Sequence, residues 1–185
     1  MTGKLYIVAT PIGNLKDITY RAVEVLKEVD IIACEDTRHS SVLLNSWEIK
    51  KPLISCHKFN EKAASMQIIE KIKEGFNVAY ISDAGTPCIS DPGGYVIGAA
   101  RENNIEYTVI PGATAFVNAL VLSGFDSSSF MFAGFLPDKK SEKTKLLKKI
   151  SALECTLIFY SAPHDINKDI KSIYEVFGER KFAAV

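Results

Sequence analysis

The sequence predicts an α/β protein built on a mainly parallel sheet, and three observations carry that expectation. Short, almost wholly apolar segments alternate with segments of helical periodicity along the chain. Those apolar segments lack the polar alternation of a strand wet on one face, as strands covered on both faces do. Glycine, proline and small hydroxyl residues crowd the junctions where the apolar segments end. With 185 residues, 47% of them hydrophobic, the chain can bury a real core in one ordinary domain or two small ones.

The first apolar run, residues 4–10, ends at Pro11-Ile-Gly-Asn, which cannot continue a strand. From Thr19, a reasonable N-cap, Ala22, Val23, Leu26 and Val29 recur at helical spacing. A second strand is expected at 31–35, a helix near 40–47 and a third strand at 52–56. A helix over 62–74 sets Met66, Ile69 and Ile72 on one face, and Gly75 ends it. The fourth strand is 77–82; a loop over 83–94, a helix to about residue 102 and a fifth strand at 107–110 follow.

A helix at 114–122 then runs into Gly124-Phe-Asp-Ser-Ser-Ser, a polar turn cluster that reads as a domain joint. The alternation restarts with a strand at 130–135, a Lys-rich helix at 141–153 and a strand at 156–160. A helix at 166–177 and a final strand at 181–185 complete it. Residues 1–112 thus read as one α/β domain with a five-stranded sheet, and 113–185 as a second α/β domain. The second stops inside a strand and is expected to be incomplete.

Composition narrows the function. Twenty-two basic residues balance 22 acidic ones, so a globally basic nucleic-acid surface is excluded and any such contact must be local. No apolar run approaches the roughly 20 residues of a membrane helix, and no secretory leader is expected at the start. Cys34, Cys56, Cys88 and Cys155 are widely spaced, without a C-x-x-C pair or a histidine cluster nearby. They read as reduced thiols of a cytoplasmic protein rather than a disulfide or metal framework.

In an open parallel sheet ligands bind beyond the carboxyl ends of the strands. Three loops there are rich in glycine, proline and hydroxyl residues: one from Ala9, one from Ser82 to Gly94, and Pro111-Gly-Ala-Thr-Ala. One such loop merely closes a connection; three together point to backbone brought close to a ligand. Glu35 and Asp36 close the second strand, where a ribose-binding acid of a dinucleotide enzyme would stand. Yet Thr10-Pro-Ile-Gly replaces G-x-G-x-x-G, and Pro11 has no N–H for a pyrophosphate. No P-loop pattern occurs either.

The segments Ala9-Thr-Pro-Ile-Gly-Asn-Leu-Lys-Asp-Ile-Thr, Cys34-Glu-Asp-Thr-Arg, Ser82-Asp-Ala-Gly-Thr-Pro-Cys-Ile-Ser-Asp-Pro-Gly and Pro111-Gly-Ala-Thr-Ala occur in that order. Phe132-Ala-Gly-Phe-Leu-Pro and Phe159-Tyr-Ser-Ala-Pro-His follow. This set resembles the ribosomal RNA small subunit methyltransferase I family of the tetrapyrrole-methylase superfamily, across the whole chain. The resemblance implies two domains of the tetrapyrrole-methylase type and S-adenosylmethionine as cofactor, folded in the cleft between them. It also implies 2′-O-methylation of a cytidine in 16S ribosomal RNA within the small ribosomal subunit, and a homodimer. A tetrapyrrole or other small-molecule methylase, or a non-catalytic cofactor-binding module, are the competing functions.

On this resemblance the cofactor contacts map onto Pro11, Ile12, Asp83, Gly85, Thr86, Ile89, Thr114, Ala115, Phe159 and Tyr160. The superfamily loop has Gly-Asp-Pro where this chain has Gly85-Thr86-Pro87, so Asp83 is the candidate to supply the charge. A ribose hydroxyl needs a base or charge-stabilising group beside it, and Glu35, Asp36 and Arg38 are the candidates. The competing role for these three is an ion pair capping the helix after the second strand. His39 is a weaker candidate, His57 reads as structural, and His164 divides evenly between strand-end packing and substrate contact. Lys139, Lys140, Lys143 and Lys145 open the one dense basic stretch, which also holds Lys148 and Lys149. In isolation it is a solvated helix face; for an RNA enzyme it is the natural phosphate-binding patch. No aromatic–basic interleaving marks a stacking platform for single strands.

Overall fold

The computed structural model describes residues 2–185, and the chain divides into two compact units, 1–114 and 115–185. In the first unit the strands are β1 (Leu5–Val8), β2 (Ile31–Cys34), β3 (Leu53–Ser55), β4 (Val78–Ile81) and β5 (Tyr107–Ile110). Its helices are α1 (Tyr20–Glu28), α2 (Thr37–Ser46), α3 (Glu61–Lys73) and α4 (Gly94–Glu102). All strand pairs are parallel, in the order β3-β2-β4-β1-β5.

That order fixes where the helices go. The chain moves one way along the sheet from β1 to β3 and the opposite way from β3 to β5. Crossovers of one hand then place α1 and α2 on one face and α3 and α4 on the other. The two cores agree with this. Val8, Ile32, Cys34, Ala79 and Ile81 pack with Leu26 and Leu44 from α1 and α2. Leu5, Ile7, Ile31, Ala33, Val78 and Tyr80 pack with Ile68, Ile72 and Val96 from α3 and α4. Alternate residues of each strand thus enter opposite cores, as the period of two requires. Gly112 shows how tightly β1 and the turn after β5 approach, because a Cβ there would lie 2.9 Å from the Ala9 methyl carbon.

The second unit contains α5 (Ala115–Ser123), β6 (Phe130–Phe135), α6 (Lys140–Ile150), β7 (Thr156–Tyr160) and α7 (Ile166–Phe177). β6 and β7 form a parallel pair. No helix of the described residues is long and apolar enough to cross a membrane.

Several expectations need correction. Residues 181–185 form no strand; Lys-Phe-Ala-Ala-Val has one β-branched residue, and no described strand pairs with it. Met66 is exposed, whereas Ala64, Ser65, Ile68, Ile69 and Ile72 form the buried stripe of α3. The buried face follows the 64/65–68/69–72 spacing, one residue out of phase with Met66. α2 begins three residues earlier than position 40, because Asp36 caps it. The division into units falls at 114/115, so the polar cluster at 124–129 is a turn inside the second unit.

Candidate active site at the carboxyl edge of the sheet

Because all five strands run the same way, the loops after them emerge at one edge. The β1 and β4 loops are joined by a reciprocal backbone pair. The Thr10 N–H donates to the Gly85 carbonyl at 2.8 Å and the Gly85 N–H returns to the Thr10 carbonyl at 3.0 Å. The buried Thr10 hydroxyl also donates to the Ser82 carbonyl at 3.1 Å. On the other side of β1, Thr86 ties the β4 loop to the turn after β5. Its hydroxyl donates to the Ala113 carbonyl at 3.2 Å and lies 3.0 Å from the Thr114 hydroxyl.

Gly85 occupies the centre of this arrangement with φ +85°, a conformation that side chains resist. A Cβ there would stand 3.4 Å from Ile12 Cγ2 and 3.8 Å from the Ala113 carbonyl oxygen. The missing side chain leaves room between the β1 loop and the turn after β5. Pro11 is buried and Ile12 half-buried, while Ile89 is exposed. A moderately apolar ligand approaching closely to backbone fits such a hollow. Cys88 is not a nucleophile competing with it, since burial pushes that thiol up to about 11.

Beyond β2, three carboxyl groups face a common environment. Asp83 accepts the Asp36 N–H at 3.2 Å, holding the β2 and β4 ends together. Burial raises the Glu35 carboxyl above the ordinary carboxylate range, and the Asp83 and Asp91 carboxylates push it the same way against the opposing pull of His57. Asp91 is raised by burial too, partly offset by its hydrogen bond with Ser82. Asp36 behaves oppositely. Its side chain accepts the Arg38 N–H at 2.8 Å as cap of α2 and is gripped by the guanidinium at 2.7 and 3.2 Å. Those hydrogen bonds hold its carboxyl far below the usual range. Asp36 and Arg38 therefore form the capping ion pair, and of the two adjacent carboxylates it is Glu35, not Asp36, that has the raised proton affinity of a base.

In the second unit, Ala115 opens α5 and Phe159 and Tyr160 end β7. The Tyr160 hydroxyl accepts the Phe116 N–H at 3.2 Å, and its ring meets Phe132 edge-on at 4.7 Å. Phe132 stacks on Phe116 at 4.6 Å, so Tyr160 is fixed by an aromatic set rather than free to swing. The Lys-rich stretch divides by helix face. Lys139, Lys140 and Lys145 are exposed, but Lys143 is buried with Leu147 and Ile150 and ion-paired to Asp169. Lys143 cannot be a phosphate contact: its 143–147–150 spacing puts it on the inner face. His57 is indeed built into a turn, its Nδ1 accepting the Phe59 N–H at 3.2 Å. His164 is exposed beside Asp165 rather than packed at a strand end.

The model of the Tetrapyrrole (Corrin/Porphyrin) Methylases matches residues 4–185. The chain belongs to this family. Among similar tetrapyrrole methylases is "Ribosomal RNA small subunit methyltransferase I" of Haemophilus influenzae, 48% identical over 98% of this chain and 64% of that protein. Proteins of the same name match from Mycoplasmopsis pulmonis, at 51% over 95% of this chain and 78% of that one, and from Bacillus subtilis, at 43% over 98% and 62%. The chain thus spans about two thirds of the length of the curated relatives it matches. A solved uroporphyrin-III-C-methyltransferase from Thermus thermophilus shares the fold, with TM-score 0.66 and 23% identity over 95% of this chain and 75% of that one.

Two features of this tetrapyrrole methylase escaped the sequence reading. Asp91 joins Glu35 and Asp83 in the acidic environment, which only the β2–β4 neighbourhood reveals. Asp169 accepts from the half-buried Ser161 hydroxyl at 2.7 Å as well as from Lys143, closing a polar triad around the buried ion pair. A signal for it existed: Asp169 lies on the apolar face of α7 with Ile166, Ile170, Ile173 and Phe177.

Proposed function

We propose that this chain binds S-adenosylmethionine at the carboxyl edge of its five-stranded sheet and methylates the 2′-hydroxyl of a cytidine in 16S ribosomal RNA. The small ribosomal subunit is the setting, the cytoplasm the location and a homodimer the working form. The observation that carries the reading is the hollow at Gly85, framed by Ile12, Thr86 and Thr114, in a chain whose relatives are named as ribosomal RNA methyltransferases.

Bound there, the cofactor supplies an electrophilic methyl group on a sulfonium. The protein's part is positioning and proton transfer. Ile12 and Ile89 offer apolar contact to the adenine. The backbone around Gly85 and the hydroxyls of Thr86 and Thr114 hold the polar end, with Asp83 as counter-charge. Holding the reactants in line accounts for a large share of the acceleration in such displacements. Glu35 takes the proton of the ribose hydroxyl; its raised proton affinity suits a base, typically worth about 10²–10⁴ in rate. Asp36 and Arg38 position the β2–α2 turn that carries it. Lys139, Lys140 and Lys145 contact phosphates.

Calorimetry with S-adenosylmethionine tests the placement. Saturable binding, weakened at least tenfold by Ile89→Asp, is expected, whereas no heat or an indifferent variant contradicts it.

A further inference from the structure

An aromatic and basic patch at the start of α3 is used by nothing described so far. Phe59 is 94% exposed, Tyr95 60% and Met66 56%, around a shallow depression of about 490 Å³ that Lys58 and Lys62 also line. Exposing a whole phenylalanine to water is unfavourable, and this one does not protrude from a loose loop. The His57 N–H donates to Asn60 Oδ1 at 2.8 Å, Asn60 Nδ2 to the Ser55 carbonyl at 3.0 Å, and the Asn60 N–H to the His57 carbonyl at 3.0 Å. These three bonds tie the turn together while the Phe59 ring stands outward.

The charge of the patch is also arranged. Glu61 is its only acid, and its carboxylate is occupied by the first turn of α4, accepting the Gly93 N–H at 2.7 Å and the Tyr95 N–H at 3.1 Å. That contact also sets Tyr95 beside the α3 start. Lys58 and Lys62 are exposed and form no salt bridge among the described residues. The patch follows β3 and so opens at the same sheet edge as Glu35, whose carbonyl accepts the Ser55 hydroxyl at 3.5 Å.

Two exposed rings, a thioether and two free ammonium groups match the chemistry of an unpaired nucleotide: a flat base to stack and flanking phosphates to neutralise. We propose that Phe59 and Tyr95 stack an unpaired base of the RNA substrate while Lys58 and Lys62 bind its flanking phosphates, a second RNA contact beside the reacting ribose. The proposal rests on the RNA-methylation reading and deepens it. No interleaved run in the sequence marks such a platform; Lys58, Phe59 and Lys62 are near in sequence, and folding brings Tyr95 and Met66 to them.

Fluorescence anisotropy with a labelled single-stranded RNA of about a dozen nucleotides tests it on the intact chain. Phe59→Ala and Tyr95→Ala should each weaken binding about tenfold, the lower-to-middle range for a lost stacking contact. The slope against salt should hold for these two and shrink for Lys58→Ala with Lys62→Ala. Phe59→Trp should bind as well as the parent, with its emission quenched by the stacked base. S-adenosylmethionine affinity and thermal midpoint should be unchanged in all of them, because the substituted side chains are exposed and outside the β1, β4 and β5 loops. Parent-like RNA binding by both alanine variants, or unquenched emission at saturating RNA, overturns the patch while leaving the RNA substrate intact. Normal RNA binding with loss of attachment only to assembled subunits shows a protein partner and also overturns it. No RNA binding by the parent overturns the wider reading with it.

Discussion

Thr10 and Gly85 exchange backbone hydrogen bonds in both directions, at 2.8 and 3.0 Å, and so lock the β1 loop to the β4 loop. Everything assigned to the cofactor in the first unit hangs on that pair. It sets the distance from Ile12 to the Gly85 backbone and leaves the space that a side chain would fill.

Gly85→Ala is therefore expected to fail in two ways. The left-handed backbone costs an alanine about 1–2 kcal/mol, and the new methyl enters the hollow beside Ile12. Chemical denaturation should show that loss, and calorimetry should show S-adenosylmethionine affinity falling at least tenfold. Stability loss with unchanged affinity would place the cofactor elsewhere.

Glu35→Gln should reduce methyl transfer by about 10²–10⁴ while leaving cofactor binding nearly unchanged. Its folded pKa is raised by burial and by Asp83 and Asp91. The folded state thus holds this proton to higher pH than the unfolded chain does. The contribution to stability is greatest below the unfolded value and declines as pH rises toward the raised folded value. At neutral pH the glutamine variant should be at least as stable as the parent in urea, while its activity is lost. A variant that is destabilised and fully active would show that Glu35 is structural.

Lys143→Met leaves Asp169 buried without its cation and should destabilise the protein by about 3–5 kcal/mol, with Lys143→Met/Asp169→Leu recovering much of it. Burial opposes the ionisation of Asp169, but its bonds to Lys143 and Ser161 outweigh that and lower its pKa. The stability it lends is present above the ordinary aspartate value and is lost as pH falls through the lowered folded one. Urea titrations across acidic pH measure both effects.

Replacing Lys139, Lys140 and Lys145 with alanine should weaken binding to ribosomal RNA and flatten its salt dependence by something under one unit of slope per lost contact. Their pairings are weak ones: Lys139 and Glu142 at 3.2 Å and Lys140 and Glu175 at 4.0 Å, all exposed. An unaltered slope leaves them as a solvated helix face.

Much of this fold was legible because its punctuation is strong. β5, β6, β7 and α7 begin and end where apolar periodicity meets glycine, proline or polar clusters. Strand order was not, since no local pattern in β2 states that β4 rather than β1 lies beside it. The same blindness hid the partnership of Asp83 with Asp36 and the approach of Asp91 to Glu35. Lys143 illustrates a different failure: a charged residue in a run of lysines looks solvated, and only an acid from another helix makes its burial tolerable. The loops after β1, β4 and β5 were legible as a group through their composition, because close backbone approach demands small residues.

The most direct test of the central claim is transfer of a labelled methyl group from S-adenosylmethionine to small ribosomal subunits lacking the modification, followed by nuclease mapping of the label. The account predicts one labelled ribose 2′-oxygen, on a cytidine of 16S ribosomal RNA, and loss of that label with Glu35→Gln. Label on a base or a protein, or none on RNA while a tetrapyrrole is methylated, would contradict it.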